Sequence, residues 1–150
     1  MYKTILVPLD GSELAEAVLP HVESLATLCG SRVILLQVIE LSHQVGRMDK
    51  AVDGLPHVTA GEMEQQIHEA QRYLDGTAEW IRAKGIDAHA RLEYGPVVAT
   101  IVLMAAQEDA GLIAMASHGR GGLSDVYYGS VAAGVLQRID RPLLFVRAQS

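Results

Sequence analysis

Short apolar runs, separated by segments with helical periodicity, are the feature that most constrains the fold of this chain. Four such runs occur: "TILVPL" (4–9), "RVILLQVIE" (32–40), "GLIAMA" (111–116) and "PLLFV" (142–146). Each has the length of a strand and is apolar at consecutive positions, which is expected for a strand buried on both faces of a sheet. These runs therefore predict buried strands in an α/β protein.

A fifth segment, "DAHARLEY" (87–94), alternates between apolar and polar residues instead. Alternation indicates a half-buried strand, which we place third in the chain and at an edge of the sheet. The first, second and fourth strands are apolar throughout and favour central positions. The last strand, 142–146, is a candidate for the other edge, and an apolar edge favours association. A homodimer formed through this strand is therefore a hypothesis.

Helical spacing of apolar residues fills the intervals between the strands. Three helices are expected over 62–84, 96–109 and 130–139, in addition to one between the first two strands. Strict alternation of five strands and four helices predicts a parallel sheet covered on both faces, within one domain spanning 1–150. Residues 41–61 show no periodicity and are expected to form a long, flexible excursion.

The helix between the first two strands has recognisable ends. Ser12 is its expected N-cap, and Gly30 is expected to close it. Pro20 falls inside this interval and is expected to bend the helix, because proline removes a helical hydrogen bond. Cys29 is expected on the apolar side of the helix, as an inert small hydrophobic residue.

Charge and cysteine content narrow the possible partners. The formal net charge of −6 disfavours nucleic acid and anionic membranes as partners. A single cysteine permits no internal disulfide and is typical of a reducing compartment. No apolar run approaches the ~20 residues of a membrane span, and the first residues lack the apolar stretch of a signal peptide. We expect a soluble, cytoplasmic protein.

Two segments follow predicted strands and carry chemistry suited to a ligand. The first is "DGS" (10–12), and the second lies within "MASHGRGGLSDVYYGSVAAGVL" (115–136). In an open parallel sheet, ligands bind beyond the carboxyl ends of the strands, so both segments are expected at one crevice. Backbone N–H groups near a helix N-terminus at Ser130, with glycines at 119 and 129, would form an anion-binding nest with Val131.

Other motifs that could explain these glycines do not fit. Ser124 stands where a dinucleotide-binding G-x-G-x-x-G would need its third glycine, and no Walker P-loop occurs. "GLSDV" lacks the second glycine of a nucleophile elbow. The histidines have no zinc-site spacing, so neither a metal site nor a catalytic constellation is predicted.

Several residues keep two interpretations at this level. Asp10 is equally compatible with helix capping and with ligand contact, and Ser130 taken alone favours an ordinary N-cap. Arg120 is equally compatible with a solvated charge and with a phosphate partner, and His118 alone is typical of a loop residue. Val38 is first of all a strand residue of the core.

The segments "ILVPLDGSELA", "VILLQVIE" and "ASHGRGGLSDVYYGSV" resemble the nucleotide-binding type of universal stress protein along the whole chain. The nucleotide signature of that family is Gly, two residues, Gly, nine residues, then Gly–Ser/Thr. Gly119 and Gly129–Ser130 match it with the correct nine-residue interval. The first glycine is replaced by Ala116, whose Cβ could crowd the ligand or require a φ that the site does not provide.

The resemblance implies a Rossmann-like adenine-nucleotide-binding sandwich with strand order 3-2-1-4-5 and dimers formed through the fifth strand. It implies ATP, or AMP or ADP, as ligand, with Mg²⁺ carried on the phosphates, in a homodimeric stress-response protein. It assigns contacts with the nucleotide to Pro8, Asp10, Val38, Met115, Ala116, His118, Gly119, Arg120, Gly129, Ser130 and Val131. The alternatives are a nucleotide-free interaction module and a slow ATP hydrolase.

Overall fold

The computed structural model describes residues 1–40, 60–119 and 129–149. Its five strands form one parallel sheet with the order β3-β2-β1-β4-β5, which confirms the predicted α/β fold class and topology. The strands are β1 (Thr4–Pro8), β2 (Arg32–Ile39), β3 (Asp87–Tyr94), β4 (Leu112–Gly119) and β5 (Leu143–Gln149). The described α-helices are α1 (Leu19–Cys29), α2 (Ala60–Arg82), α3 (Val97–Gln107) and α4 (Ser130–Arg138).

The central strands are buried as their continuous apolar runs require. All five residues of β1 are buried, and the strand pairs with β2 from Thr4↔Arg32 to Pro8↔Leu36. On its other side, β1 pairs with β4 through Ile5↔Leu112 and Leu6↔Ile113. Strand β3 lies at one edge of the sheet, as its alternating pattern predicted, and β5 is at the other.

Helices cover both faces of the sheet. One core cluster joins Val7 and Leu35 of the sheet to apolar residues of α1 and to Leu74 of α2. The second joins Leu6 and Ile113 to residues of α3 and α4. Because neighbouring residues of a strand point to opposite faces, an uninterrupted apolar strand supplies both clusters at once.

The first helix departs from the sequence prediction. A 3₁₀ turn, Ala15–Val18, comes first, and α1 begins only at Leu19. Ser12 is not the N-cap of α1 as predicted, because its hydroxyl accepts the N–H of Ala15 at the start of the 3₁₀ turn instead. The prediction for Pro20 is wrong, because Pro20 occupies the first turn of α1, where a missing N–H costs no helical hydrogen bond. Gly30 closes the helix with φ +65°, as predicted. Cys29 is exposed, contrary to the prediction that it lies on the apolar side.

Two strands are longer than their apolar runs indicated. Strand β4 continues to Gly119 and pairs with β5 from Ile113↔Leu143 to Gly119↔Gln149. The residues after Ala116 were predicted to be loop because they are polar or glycine, yet β5 supplies their backbone partners.

Helix α2 includes residues 60 and 61, the end of the predicted excursion, and 41–59 lie outside the described residues. No helix in the described part of the chain is long and apolar enough to cross a membrane.

Two helical glycines differ in the space around them and provide a test of the packing between α3 and α4. A Cβ at Gly134 would lie 2.7 Å from Cγ2 of Val98, whereas a Cβ at Gly76 of α2 would meet nothing within 4 Å. Alanine improves helix propensity at both sites by about 1 kcal/mol. At residue 134 overpacking costs about 1–3 kcal/mol, because valine is stiff at χ1.

We therefore expect Gly76→Ala to stabilise the protein and Gly134→Ala to destabilise it, with a difference between the two of about 2 kcal/mol. Urea unfolding followed by far-ultraviolet circular dichroism measures both free energies. Equal stability of the two variants would contradict the close approach of α3 and α4.

Candidate functional site

The crevice at the carboxyl ends of β1 and β4 is the topological switch point of the sheet. From β1 the chain proceeds outward through β2 to β3, then returns to the other side of β1 to form β4 and β5. The connections after β1 and β4 therefore leave in opposite directions and open a crevice between them. The fold thus creates a ligand-binding position where both segments singled out from the sequence begin.

A cavity of about 240 Å³ occupies this crevice. Of the predicted contact residues, it is lined by Pro8, Asp10, Val38, Met115, Ala116, Gly129, Ser130 and Val131. The remaining lining residues were not predicted, and they are Leu9, Ala15, Leu36, Val97, Ile101 and Ala132. The structure therefore brings together eight positions that are distributed over most of the chain.

The other three predicted positions are placed differently or are not described. His118 and Gly119 are strand residues at the end of β4, opposite Ala148 and Gln149 of β5. They were expected in a loop, and their strand pairing explains the difference. Arg120 lies outside the described residues.

The turn after β1 is built by side-chain hydrogen bonds. Asp10 Oδ1 accepts hydrogen bonds from the Ser12 backbone N–H, at 2.9 Å, and from the Ser12 hydroxyl, at 2.5 Å. Ser12 Oγ in turn accepts the N–H of Ala15 at 3.2 Å and so initiates the 3₁₀ turn. Gly11 adopts φ +85°, which favours glycine. Asp10 thus shapes this turn and caps no helix through these hydrogen bonds, and it lines the cavity, where contact with a ligand stays a prediction.

Helix α4 points its N-terminus at the cavity. Gly129 is the N-cap, with φ +76° and ψ +147°, and no side chain of the described residues caps the helix. The first helical hydrogen bond runs from Ala133 N–H to the Gly129 carbonyl, at 3.0 Å. The N–H groups of Ser130 and Val131 therefore have no acceptor within the helix. The interpretation of Ser130 as an N-cap is wrong, because Ser130 is the first helical residue.

Ala116 lies in regular β4 backbone, opposite Val146. Among the described residues, only Asp109 is a non-glycine residue with positive φ. The backbone conformation at 116 is thus open to any L-residue, and alanine causes no strain there. Of the two objections to alanine at this position, an unsuitable φ no longer applies, and only crowding of the ligand by the Cβ is left.

The residues that the sequence did not reveal are mostly apolar. Leu36, Ile101 and Ala132 also belong to the core, so their periodicity gives no separate signal for a site. Val97 follows Pro96 at the start of α3, and its N–H donates to Glu40 Oε1 at 3.3 Å. The one sequence signal that could have identified Val97 as a site residue was its position shortly after a predicted strand. In the described part of the chain, no group of three His, Cys, Asp or Glu residues could hold a metal ion.

The sheet order, the crevice at the switch point and the glycine-capped helix together define a doubly wound α/β protein with a ligand-type cavity. The chain belongs to the universal stress protein family, whose family model matches residues 1–147. This membership confirms the resemblance of the three sequence segments.

Similarity to individual proteins extends over full lengths. The universal stress protein MJ0577 of Methanocaldococcus jannaschii is 31% identical over 160 residues, covering 100% of this chain and 98% of the relative. A solved structure of MJ0577 has a TM-score of 0.80 at 29% identity, covering 100% of this chain and 99% of the other.

Two more distant structures contain adenine nucleotides. A universal stress protein in complex with cAMP has a TM-score of 0.70 at 19% identity, covering 99% of this chain and 98% of the other. The universal stress protein from Archaeoglobus fulgidus in complex with dAMP has a TM-score of 0.66 at 22% identity, covering 96% and 97%. At these identities the likeness shows the shared fold alone.

Proposed function

We propose that this chain binds an adenine nucleotide, with ATP as the ligand, in the cavity at the switch point of the sheet. The observation that carries the proposal is the N-terminus of α4, whose first backbone N–H groups face that cavity beside Gly129 and have no acceptor in the helix or among the described side chains. A helix N-terminus favours an anion through these N–H groups and through the helix dipole. The phosphates would bind there.

The remaining lining suits a nucleoside. Leu36, Val38 and Met115 supply an apolar wall on which a base can lie, and Pro8 closes the side towards β1. The Asp10 carboxylate can accept hydrogen bonds from ribose hydroxyls. His118 and Gly119 at the end of β4, and Arg120 after it, complete the proposed contacts with ribose and phosphates. The cAMP and dAMP found in relatives of the same fold support an adenine nucleotide as the ligand class.

We assign this site a binding role and no rapid turnover. Among the described residues that line the cavity, none is a nucleophile paired with a general base. Mg²⁺ would be carried by the nucleotide phosphates, because this ion needs few protein ligands. A nucleotide-dependent stress or signalling factor fits such a site. The cytoplasmic location remains a prediction from the sequence.

The first experiment is to denature the purified protein, chromatograph the supernatant, and titrate the refolded or nucleotide-free protein with ATP and AMP by calorimetry. Release of an adenine nucleotide, or saturable binding below millimolar concentration, supports the proposal. Absence of both contradicts it and favours the nucleotide-free interaction module. Turnover faster than about one per second, as in typical enzymes, would contradict the binding role.

Ala116 offers a graded test of the phosphate side of the cavity. We expect Ala116→Gly to tighten ATP binding by about fivefold, because it removes a methyl group of steric cost near 1 kcal/mol. Calorimetric titration gives the dissociation constants. Ala114→Gly is the matched control, since Ala114 is buried in the same strand and does not line the cavity. Unchanged affinity in Ala116→Gly would show that the Ala116 methyl group does not crowd the nucleotide.

We also propose a homodimer that pairs through β5. This strand is at the edge of the sheet order, and its apolar residues Leu143, Leu144, Phe145 and Val146 are only half-buried within the chain. Strand-to-strand pairing would bury them and extend the ladder. Size-exclusion chromatography with light scattering at micromolar concentration should give twice the mass of the chain. A monomer under these conditions would contradict the proposed dimer without affecting the nucleotide site.

A further inference from the structure

A second concave surface lies outside the proposed nucleotide site, between the 3₁₀ turn with the start of α1 on one side and α2 on the other. This groove has a volume of about 580 Å³, within the range of roughly 300–1,000 Å³ typical of small-molecule sites. Its lining residues are Glu16, Leu19, Pro20, Arg72, Tyr73, Gly76, Thr77 and Trp80. None of them lines the cavity at the switch point.

The Tyr73 hydroxyl gives the groove an unusual polar feature. Its oxygen is buried, and no group of the described residues reaches it with good hydrogen-bond geometry, although the Glu16 carboxylate and the Thr77 hydroxyl lie close enough to influence its pKa. Burial, and then the negative charges of Glu16 and Asp10, raise the pKa of Tyr73 to about 12. The phenol therefore stays protonated and can both donate and accept a hydrogen bond. A buried hydroxyl without a partner is uncommon in native proteins, so a bound group that supplies one is a physical explanation for it.

The charges around this hydroxyl favour a cation. Glu16 is half-buried next to Tyr73, and it forms no ion pair with any residue in the described ranges. Arg72 is exposed, so water and salt screen its charge more strongly than that of Glu16. The net electrostatic effect at the hydroxyl is therefore that of the carboxylate.

The rest of the groove is suited to an apolar body. Leu19 and Pro20 form one wall, and Trp80, which is 52% exposed, forms part of the other. Gly76 keeps the α2 side open, because a Cβ at this position would meet nothing within 4 Å. Lys84 Nζ lies 3.5 Å from the centre of the Trp80 ring. This ring thus already contacts one cation, and the apolar part of a ligand would pack against the indole in the groove.

We propose that this groove is a second ligand site, which binds an organic ammonium ion with an apolar or aromatic body. The ammonium group lies between the Glu16 carboxylate and the Tyr73 hydroxyl oxygen, both of which accept its hydrogen bonds. The apolar body packs on Pro20 and Trp80. The groove and the proposed nucleotide cavity share no lining residue.

Trp80 provides the measurement, because it is the only tryptophan of the chain. The full-length protein is titrated with three compounds that share a phenylethyl or benzyl body: phenethylammonium, 2-phenylethanol and phenylacetate. Trp80 fluorescence is followed, with calorimetry as a second readout. We expect phenethylammonium to bind about tenfold more tightly than the alcohol, and phenylacetate to bind most weakly.

Two charge-neutralising variants identify the group responsible. Glu16→Gln is expected to weaken binding of phenethylammonium by about tenfold, whereas Arg72→Gln should leave it unchanged or tighten it by up to about threefold. Tyr73→Phe should weaken it by a few-fold, and thermal unfolding verifies that each variant is folded. Preferential binding of phenylacetate that is lost in Arg72→Gln would overturn the proposal in favour of an anion site. Binding of none of the compounds up to ten millimolar would also overturn it.

Discussion

Replacing Gly129 with valine is expected to abolish measurable ATP binding while the protein remains folded. Gly129 has φ +76° and ψ +147° at the N-cap of α4, a conformation that a β-branched residue adopts only with strain. The added side chain would also extend where the phosphates are proposed to approach the N–H groups of Ser130 and Val131. Loss of two charge-assisted hydrogen bonds of about 1.5–3 kcal/mol each corresponds to at least roughly a 100-fold loss of affinity.

The matched control for this substitution is Gly30→Val. Gly30 also has positive φ, at +65°, but it closes α1 and a Cβ there would meet nothing within 4 Å. Both variants are expected to lose about 1–3 kcal/mol of stability from backbone strain, and only Gly129→Val should lose ATP binding. Calorimetric titration and urea unfolding separate the two effects. Equal ATP affinity of the two variants would show that the α4 N-terminus does not hold the phosphates.

Leu35→Ala is expected to cause the largest loss of stability among simple truncations. Leu35 is fully buried in β2, between the edge strand β3 and the central strand β1, and packs in the core cluster under α1 and α2. Truncation of such a leucine costs about 2–5 kcal/mol, because part of the resulting cavity stays open. This is a large share of the roughly 5–15 kcal/mol by which a native domain is stable.

Leu103→Ala is the control for this truncation. Leu103 has the same side chain on α3, but it is 55% exposed. Alanine also has the higher helix propensity, so the free energy of unfolding should change by less than about 0.5 kcal/mol. Urea midpoints with constant slopes measure both variants. A similar cost at the two positions would contradict the burial assigned to β2.

Much of the fold could be predicted because it depends on local patterns. Neither face of a largely apolar run such as residues 32–40 is suited to exposure to solvent. Such a run therefore predicts a strand with helices packed on both faces of the sheet. The alternating residues 87–94 predict a strand at the edge of the sheet, because one of their two faces is polar and suits contact with water. By contrast, the ends of elements depend on partners distant in sequence. Residues 117–119 became strand because β5 pairs with them, and no local property of Ser117 or Gly119 signals this.

The residues of the candidate site divide in the same way, into those that a local sequence pattern could predict and those that it could not. The spacing of Gly119 and Gly129 predicted a phosphate-binding position through the resemblance to the family signature, and this stays a prediction, because glycine is also common in ordinary turns and caps. The apolar wall formed by Leu36 and Ile101 could not be distinguished from ordinary core. Ser130 shows the limit most clearly: serine is a common N-cap, and only the helix start after Gly129 shows that its side chain does not cap.

The sequence by itself determined the alternation of strands and helices, the central position of the apolar strands, and the presence of Asp10 and Gly129 at the crevice. These are properties of short segments, expressed through periodicity and through the conformations that single residues permit. Only the tertiary structure decided that Ala116 lies in unstrained β4 backbone, that the N-cap of α4 is a residue without a side chain, and that the buried Tyr73 hydroxyl lies close to Glu16 at a second groove. Those features depend on contacts between segments far apart in the chain, whose geometry is set when the helices pack on the sheet.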